Sequence, residues 1–236
     1  MPDERLPARS PRGDIEAFVE RAKRMPVKSG GAVRGRLIFA LDATASRQPT
    51  WDRACDIQGD MFQAADGVGG LEVQLCFYRG HAELSISPWY KSSLELVRRM
   101  RSVFCLGGLT QIGKVLRHVL KEARKSKVNA LVFVGDCVEE NPGHLVHLAG
   151  QIGILGIPAF LFFEGNDPNT AEVFRSIARL THGAACPFDH ASAAQLRDLL
   201  SAVAVYAAGG RRALEQFSAG RHESVKQLTR QLDPGR

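Results

Sequence analysis

Three stretches of this chain are apolar on successive residues: 36–42 (RLIFALD), 129–136 (NALVFVGD) and 157–163 (IPAFLFF). A strand written that way keeps no face for water and must be covered on both sides. The segments between them carry helical periodicity. Trp51, Ala54, Cys55, Gln58, Phe62 and Ala65 recur on one stripe, with Thr50 as the expected N-cap. Further helices are expected over 92–103, 112–125, 142–154, 170–180 and 193–205, and a short last strand over 184–188. Two alternating segments, GLEVQLCFYRG and HAELSIS, meet at Arg79-Gly80 and predict a β-hairpin with an antiparallel edge. The alternation predicts an α/β fold: a doubly wound, mostly parallel central sheet with one antiparallel edge strand and helices on both faces.

Charge divides the chain into three parts. The formal net charge is +6, from 31 basic and 25 acidic residues. Residues 1–36 hold 9 basic and 5 acidic side chains and residues 206–236 hold 6 and 3, which leaves 16 against 17 between them. Residues 1–35 therefore read as a basic flexible extension with room for a short helix over 15–24. Residues 36–205 form the domain, and 206–236 form a Gly-Gly hinge followed by a basic helix or tail. A pI near 9.3 that arises from two ends is not a collected basic surface, so nucleic-acid binding is not expected.

Five cysteines without a C-x-x-C pair argue against a disulfide framework and for a reducing cytoplasm. The opening MPDERLPARSPRGD has no apolar core of a signal peptide, and no apolar run approaches the ~18 residues of a membrane span.

Open α/β folds place their sites beyond the carboxyl ends of the strands. Three such loops here carry oxygen ligands: Asp42, Thr44 and Ser46 in the first, Thr110 after Gly107 and Gly108 in the second, and Asp136 in the third. Two carboxylates and three hydroxyls suit a hard divalent cation, Mg²⁺ or Mn²⁺, with water in the remaining positions. An acid at a strand end is also a common helix cap, so Asp42 alone has two readings. The joint placement narrows them, with Thr110 68 residues after Asp42 and Asp136 26 further on.

That set resembles the metal-ion-dependent adhesion site of the von Willebrand factor type A family, whose pattern is D-x-S-x-S, then Thr, then Asp. The resemblance spans about residues 36–205. It makes Asp42, Thr44, Ser46, Thr110 and Asp136 the metal ligands, directly or through water. Thr44 replaces a Ser and keeps the hydroxyl, Leu109 separates the glycines from Thr110, and Cys137 stands where a Gly is common. The resemblance implies a binding domain and not an enzyme, in which the cation takes an acidic side chain of a partner protein. Bacterial intracellular stand-alone members commonly resemble accessory subunits that work beside a ring ATPase, so a ring ATPase or a multiprotein assembly is the implied partner.

Two rivals are distinct in class. A Mg²⁺-dependent phosphohydrolase of haloacid-dehalogenase type would use Asp42, Thr110, Lys114 and Asp136 in that order. It requires a second Asp two residues after the first, and Thr44 is no efficient general acid near pH 7. A basic adaptor with a vestigial metal site would work through its ends. A dinucleotide site is excluded by the first turn, DATASRQ, which has no glycine.

Other residues carry two readings each. Trp89 and Tyr90 are expected in the loop after the edge strand, as a partner contact or a core anchor. His81, His144 and His147 read as surface residues, His182 and His190 flank the last strand without a matching partner, and Cys137 reads as a space-filler beside the metal loop. Arg117, Lys121 and Arg124 form a basic stripe. Glu139, Glu140 and Asp167 are either an acidic rim or helix caps.

Overall fold

The structure is a computed structural model that describes residues 34–165, 167–188, 193–218 and 223–232. The helix expected over 15–24 and His190 lie outside the described residues. Six strands form one sheet: β1 (Gly35–Asp42), β2 (Leu71–Arg79), β3 (Glu83–Tyr90), β4 (Ala130–Gly135), β5 (Ala159–Phe163) and β6 (Ala184–Pro187). The helices are α1 (Gln48–Asp66), α2 (Ser93–Arg101), α3 (Ile112–Ala123), α4 (Pro142–Ile154), α5 (Pro168–Leu180), α6 (Ala193–Ser218) and α7 (Glu223–Gln231).

The strand order is β3-β2-β1-β4-β5-β6. β1 pairs in parallel with both β2 and β4, β5 and β6 continue the parallel set, and β3 runs antiparallel to β2 at the edge. The expected architecture is the observed one. Its reason is visible in β1, whose alternate residues feed two separate cores. Leu37, Phe39 and Leu41 pack with residues of α1, α2, α6 and α7, whereas Ile38 and Ala40 pack with residues of α3, α4 and α5. Phe39 and Leu37 are fully enclosed, and each such side chain stabilises the fold by about 1.5–3 kcal/mol relative to exposure.

The strand order also places the site. The chain leaves β1 toward β2 on one side, while β4 lies on the other, so the loops after β1 and β4 diverge at the point where the winding reverses. A crevice opens there by topology alone. Asp42 ends β1 and Asp136 follows β4.

Three details differ from the sequence expectation. Thr50 is not the N-cap of α1. A single 3-10 turn, Ala45–Arg47, runs straight into the helix, Arg47 takes the cap position, and Pro49 sits in the first turn. Proline fits there because its missing N–H has no helical acceptor to lose. Trp89 and Tyr90 are not in a loop. β3 extends through Pro88, opposite a register shift between Gln74 and Cys76, and an edge strand tolerates a proline that an inner strand does not. Ser87 accepts from the Leu75 N–H and fills the interrupted ladder. Trp89 lies under the Arg36 guanidinium, 3.8 Å from its ring centroid, and donates its indole N–H to Glu122. The last helix does not stop at residue 205. It continues to Ser218 with a break at Gly210 (φ 72°), as the Gly-Gly pair implied, and Ala207, Leu214, Val225 and Leu228 all belong to the first core.

Candidate metal centre

Asp42 is the last residue of the central strand and only 2% exposed. Its Oδ1 accepts the Thr44 N–H at 2.7 Å, and its Oδ2 accepts the Tyr78 hydroxyl at 3.1 Å from the neighbouring strand. Burial raises the Asp42 carboxyl above its ordinary range, and the Asp136 charge adds to this. The bonds from Thr44 and Tyr78 oppose it. Burial also drives the Tyr78 phenol well above its usual value, reinforced by Asp42, so Tyr78 stays a donor.

The loop after Asp42 is fixed at both ends. Ala43 donates to the Tyr78 carbonyl and accepts from Leu106, which ties the first loop to the second. The Thr44 and Ser46 hydroxyls are 3.5 Å apart, and Ser46 donates to Asp136 Oδ2 at 3.2 Å. Asp42, Thr44, Ser46 and Asp136 thus form one chain of polar contacts across the crevice. Thr110 reaches the third loop three residues further on: its N–H donates to Glu139 Oε2 at 2.8 Å, and its hydroxyl accepts from the Glu139 N–H at 3.0 Å. Its hydroxyl proton and second lone pair are not used by these bonds. Among the described residues no hydrogen bond joins Thr110 directly to Asp42, Ser46 or Asp136.

Glycines set the second loop. A Cβ on Gly108 would lie 2.0 Å from the Gly80 carbonyl oxygen. That approach lets the Leu109 N–H bond Gly80 and carries Thr110 to its place. At the start of α3, Glu140 accepts from the N–H groups of Ile112 and Gly113, the latter at 2.9 Å. Glu140 and Asp167 are therefore helix caps, the latter on α5, and Glu139 holds Thr110.

Two residues of the centre went unanticipated. Arg47, 3% exposed, places Nη1 2.5 Å from Glu164 Oε2 and 3.6 Å from Asp136 Oδ2. Glu164, just past β5, also accepts the Thr50 hydroxyl at 2.7 Å. The signal existed: Glu164 follows an apolar strand just as Asp42 and Asp136 do, and Arg47 directly follows the D-x-T-x-S run.

Other candidates stand apart. His144 bonds Arg117, and His147 bonds Gln151 on the outside of α4. Burial first, and then Asp136, pushes the Cys137 thiol up to about 12, so it is neutral near pH 7 and no nucleophile.

The donor set fits a divalent cation on one further count. Asp136 Oδ1 is buried without a hydrogen-bond partner, an arrangement that costs free energy unless a cation or a donor meets it. Among the described residues no group of three or more His, Cys, Asp or Glu side chains could hold a metal. An ion held here would draw on the hydroxyls of Thr44, Ser46 and Thr110 as well, and oxygen donors of this kind suit a hard ion.

The sheet order, with its single antiparallel edge strand and helices on both faces, is that of a von Willebrand factor type A-like fold. No family model matches the sequence, and no curated protein matches it either. Solved structures do. The SpRpn10 VWA domain superposes with a TM-score of 0.55 at 11% identity, over 72% of this chain and 95% of that one. Proximal thread matrix protein 1 from the mussel byssus, with a zinc-occupied MIDAS motif, gives 0.59 at 15%, over 73% and 46%. The ArnB paralog VWA2 from Sulfolobus acidocaldarius gives 0.51 at 13%, over 72% and 45%. At such identities the likeness is one of fold. No helix among the described residues is long and apolar enough to cross a membrane.

Proposed function

We propose that this chain is a divalent-cation-dependent protein-binding module of the reducing cytoplasm. Asp42, Thr44, Ser46, Thr110 and Asp136 would hold Mg²⁺ or Mn²⁺. When bound, such an ion supplies an open position that takes a carboxylate oxygen from an acidic side chain of a partner protein. The observation that carries this reading is the convergence of Asp42 and Asp136 through Ser46, with Asp136 Oδ1 buried and unpartnered.

The residues divide the work. Tyr78 and the Thr44 N–H orient Asp42 and hold its charge in a buried place. Ser46 fixes Asp136, and Glu139 fixes Thr110. Among the residues that would hold the ion, Asp42 and Asp136 carry two negative charges, which a divalent cation cancels, while Glu164 is paired with Arg47. A carboxylate then meets no uncompensated like charge. The zinc-occupied site of the byssus protein supports a metal at this place in the fold. An accessory role beside a ring ATPase or in another multiprotein assembly is the partner class the sequence resemblance implies.

A phosphohydrolase reading lacks its acid. The side chain two residues after Asp42 is Thr44, whose hydroxyl lies beside Ser46. The test of the module is calorimetric titration of Mg²⁺ into the full chain and into Asp42→Ala. Binding by the parent and its loss in the variant are expected, and absent or equal binding overturns the reading. Affinity capture with Mg²⁺ and with chelator then identifies the metal-dependent partner.

A further inference from the structure

We infer that Arg47 is a resident cation that competes with the divalent ion for Asp136, with Glu164 setting the balance between them. This rests on the metal-centre reading above and adds a regulator of that site. Arg47 is placed by the chain, not by chance of rotamer. The 3-10 turn after the D-x-T-x-S run closes with the Arg47 N–H on the Thr44 carbonyl, and the side chain is 4% exposed. A buried guanidinium must be matched by carboxylates, since burial of an unpaired charge is costly.

The matching is lopsided. Glu164 is saturated from this side: Oε2 takes Arg47 and Oε1 takes Thr50. Asp136 receives only the longer approach, 3.6 Å from Nη1 to Oδ2, beyond hydrogen-bond range but within that of an ion pair. Arg47 Nη2 and Asp136 Oδ1 are both buried without a partner. The guanidinium thus compensates Asp136 in part and leaves one carboxylate oxygen for a second cation. A cavity of about 430 Å³, lined by Ser46, Arg47, Thr50, Asp136, Cys137 and Glu164 among others, borders these groups.

Two cations that share one carboxylate repel each other. Even at a water-like dielectric, a single charge held in contact with a ligand of a divalent ion opposes that ion by roughly a factor of ten in affinity. Arg47 therefore holds the Mg²⁺ affinity of the centre down. Glu164 moderates this by drawing the guanidinium away from Asp136, so losing the Glu164 charge strengthens Arg47 as a competitor.

The test is Mg²⁺ titration by calorimetry on the full chain, on Arg47→Gln, on Glu164→Gln and on the double variant, with Mn²⁺ paramagnetic resonance as a second readout. Arg47→Gln is expected to bind about tenfold more tightly than the parent, Glu164→Gln more weakly, and the double variant between them. Equal affinities in parent and both single variants overturn the inference and leave the metal centre standing. No binding by any of the four removes the metal centre and the inference with it. Near-ultraviolet circular dichroism of each variant excludes loss of fold, and the charge-neutral double variant keeps the comparison decisive if one single variant is unstable.

Discussion

Ser46 donates its hydroxyl to Asp136 across 90 residues of sequence, at 3.2 Å, and so joins the loops after β1 and β4. Ser46 is exposed, and an exposed hydrogen bond contributes about 1 kcal/mol or less to stability. Ser46→Ala should therefore leave the melting temperature nearly unchanged. If the hydroxyl holds the metal or positions Asp136, Mg²⁺ affinity should still fall by roughly 10- to 100-fold. Melting curves and Mg²⁺ titration on the same sample separate the two effects.

Gly108 leaves no room for a side chain, because the obstacle is the Gly80 backbone carbonyl and not a movable side chain. Gly108→Ala should cost about 2 kcal/mol or more by forcing the second loop outward. Gly107 meets nothing within 4 Å of an added Cβ, and Gly107→Ala should stay within about 0.5 kcal/mol. Urea denaturation measures the difference, and faster amide exchange at Leu109 reports the lost bond to Gly80.

His118 gives a pH dependence away from the centre. It is 7% exposed on α3 and 2.8 Å from Gln74 Oε1, while Gln74 donates its own amide to the Ser87 carbonyl. Burial lowers the imidazole below its ordinary value, Lys125 and Lys121 add to this, and Glu122 opposes it. The unfolded chain therefore binds the proton more readily than the folded one. The stability contribution is present above the unfolded value near 6.5 and declines as pH falls below it. Stability should therefore fall as the pH is lowered below about 6.5. His118→Gln should flatten that limb in denaturation measured across pH.

The segment after residue 205 belongs to the core. Leu214, Val225 and Leu228 are fully buried, and a Cβ on Gly35 would lie 2.2 Å from the Ala207 carbonyl. Removing residues 206–236 strips three large apolar side chains at about 2–5 kcal/mol each, against a total stability of about 5–15 kcal/mol. The truncated chain should lose cooperative thermal unfolding by circular dichroism. Retention of a sharp transition would show that these helices are dispensable.

Much of this was legible in the residue order. Uninterrupted apolar runs of five to seven residues read as covered strands, and their alternation with helical segments left one class of architecture. The acids at the strand ends marked the crevice because the fold places strand termini together. Errors arose where local pattern and tertiary pairing disagree. Thr50 reads as a cap, but the preceding turn was already helical and its hydroxyl was drawn to Glu164. Pro88 reads as a strand end, but an unpaired edge needs no N–H from it.

The sequence by itself determined the layers, the parallel core and the placing of Asp42, Thr44, Ser46 and Asp136 at or just beyond strand ends and of Thr110 in the loop before α3. Each of those depends on periodicity or on a residue's own chemistry, which a linear reading preserves. Only the tertiary structure decided that Arg47 faces Asp136 and Glu164, that Thr110 meets Glu139, and that the last two helices complete a core. Those are through-space relations between residues far apart in the chain, 117 positions in the case of Arg47 and Glu164. Their energies depend on a few ångströms of separation and on burial, and no local pattern carries either quantity.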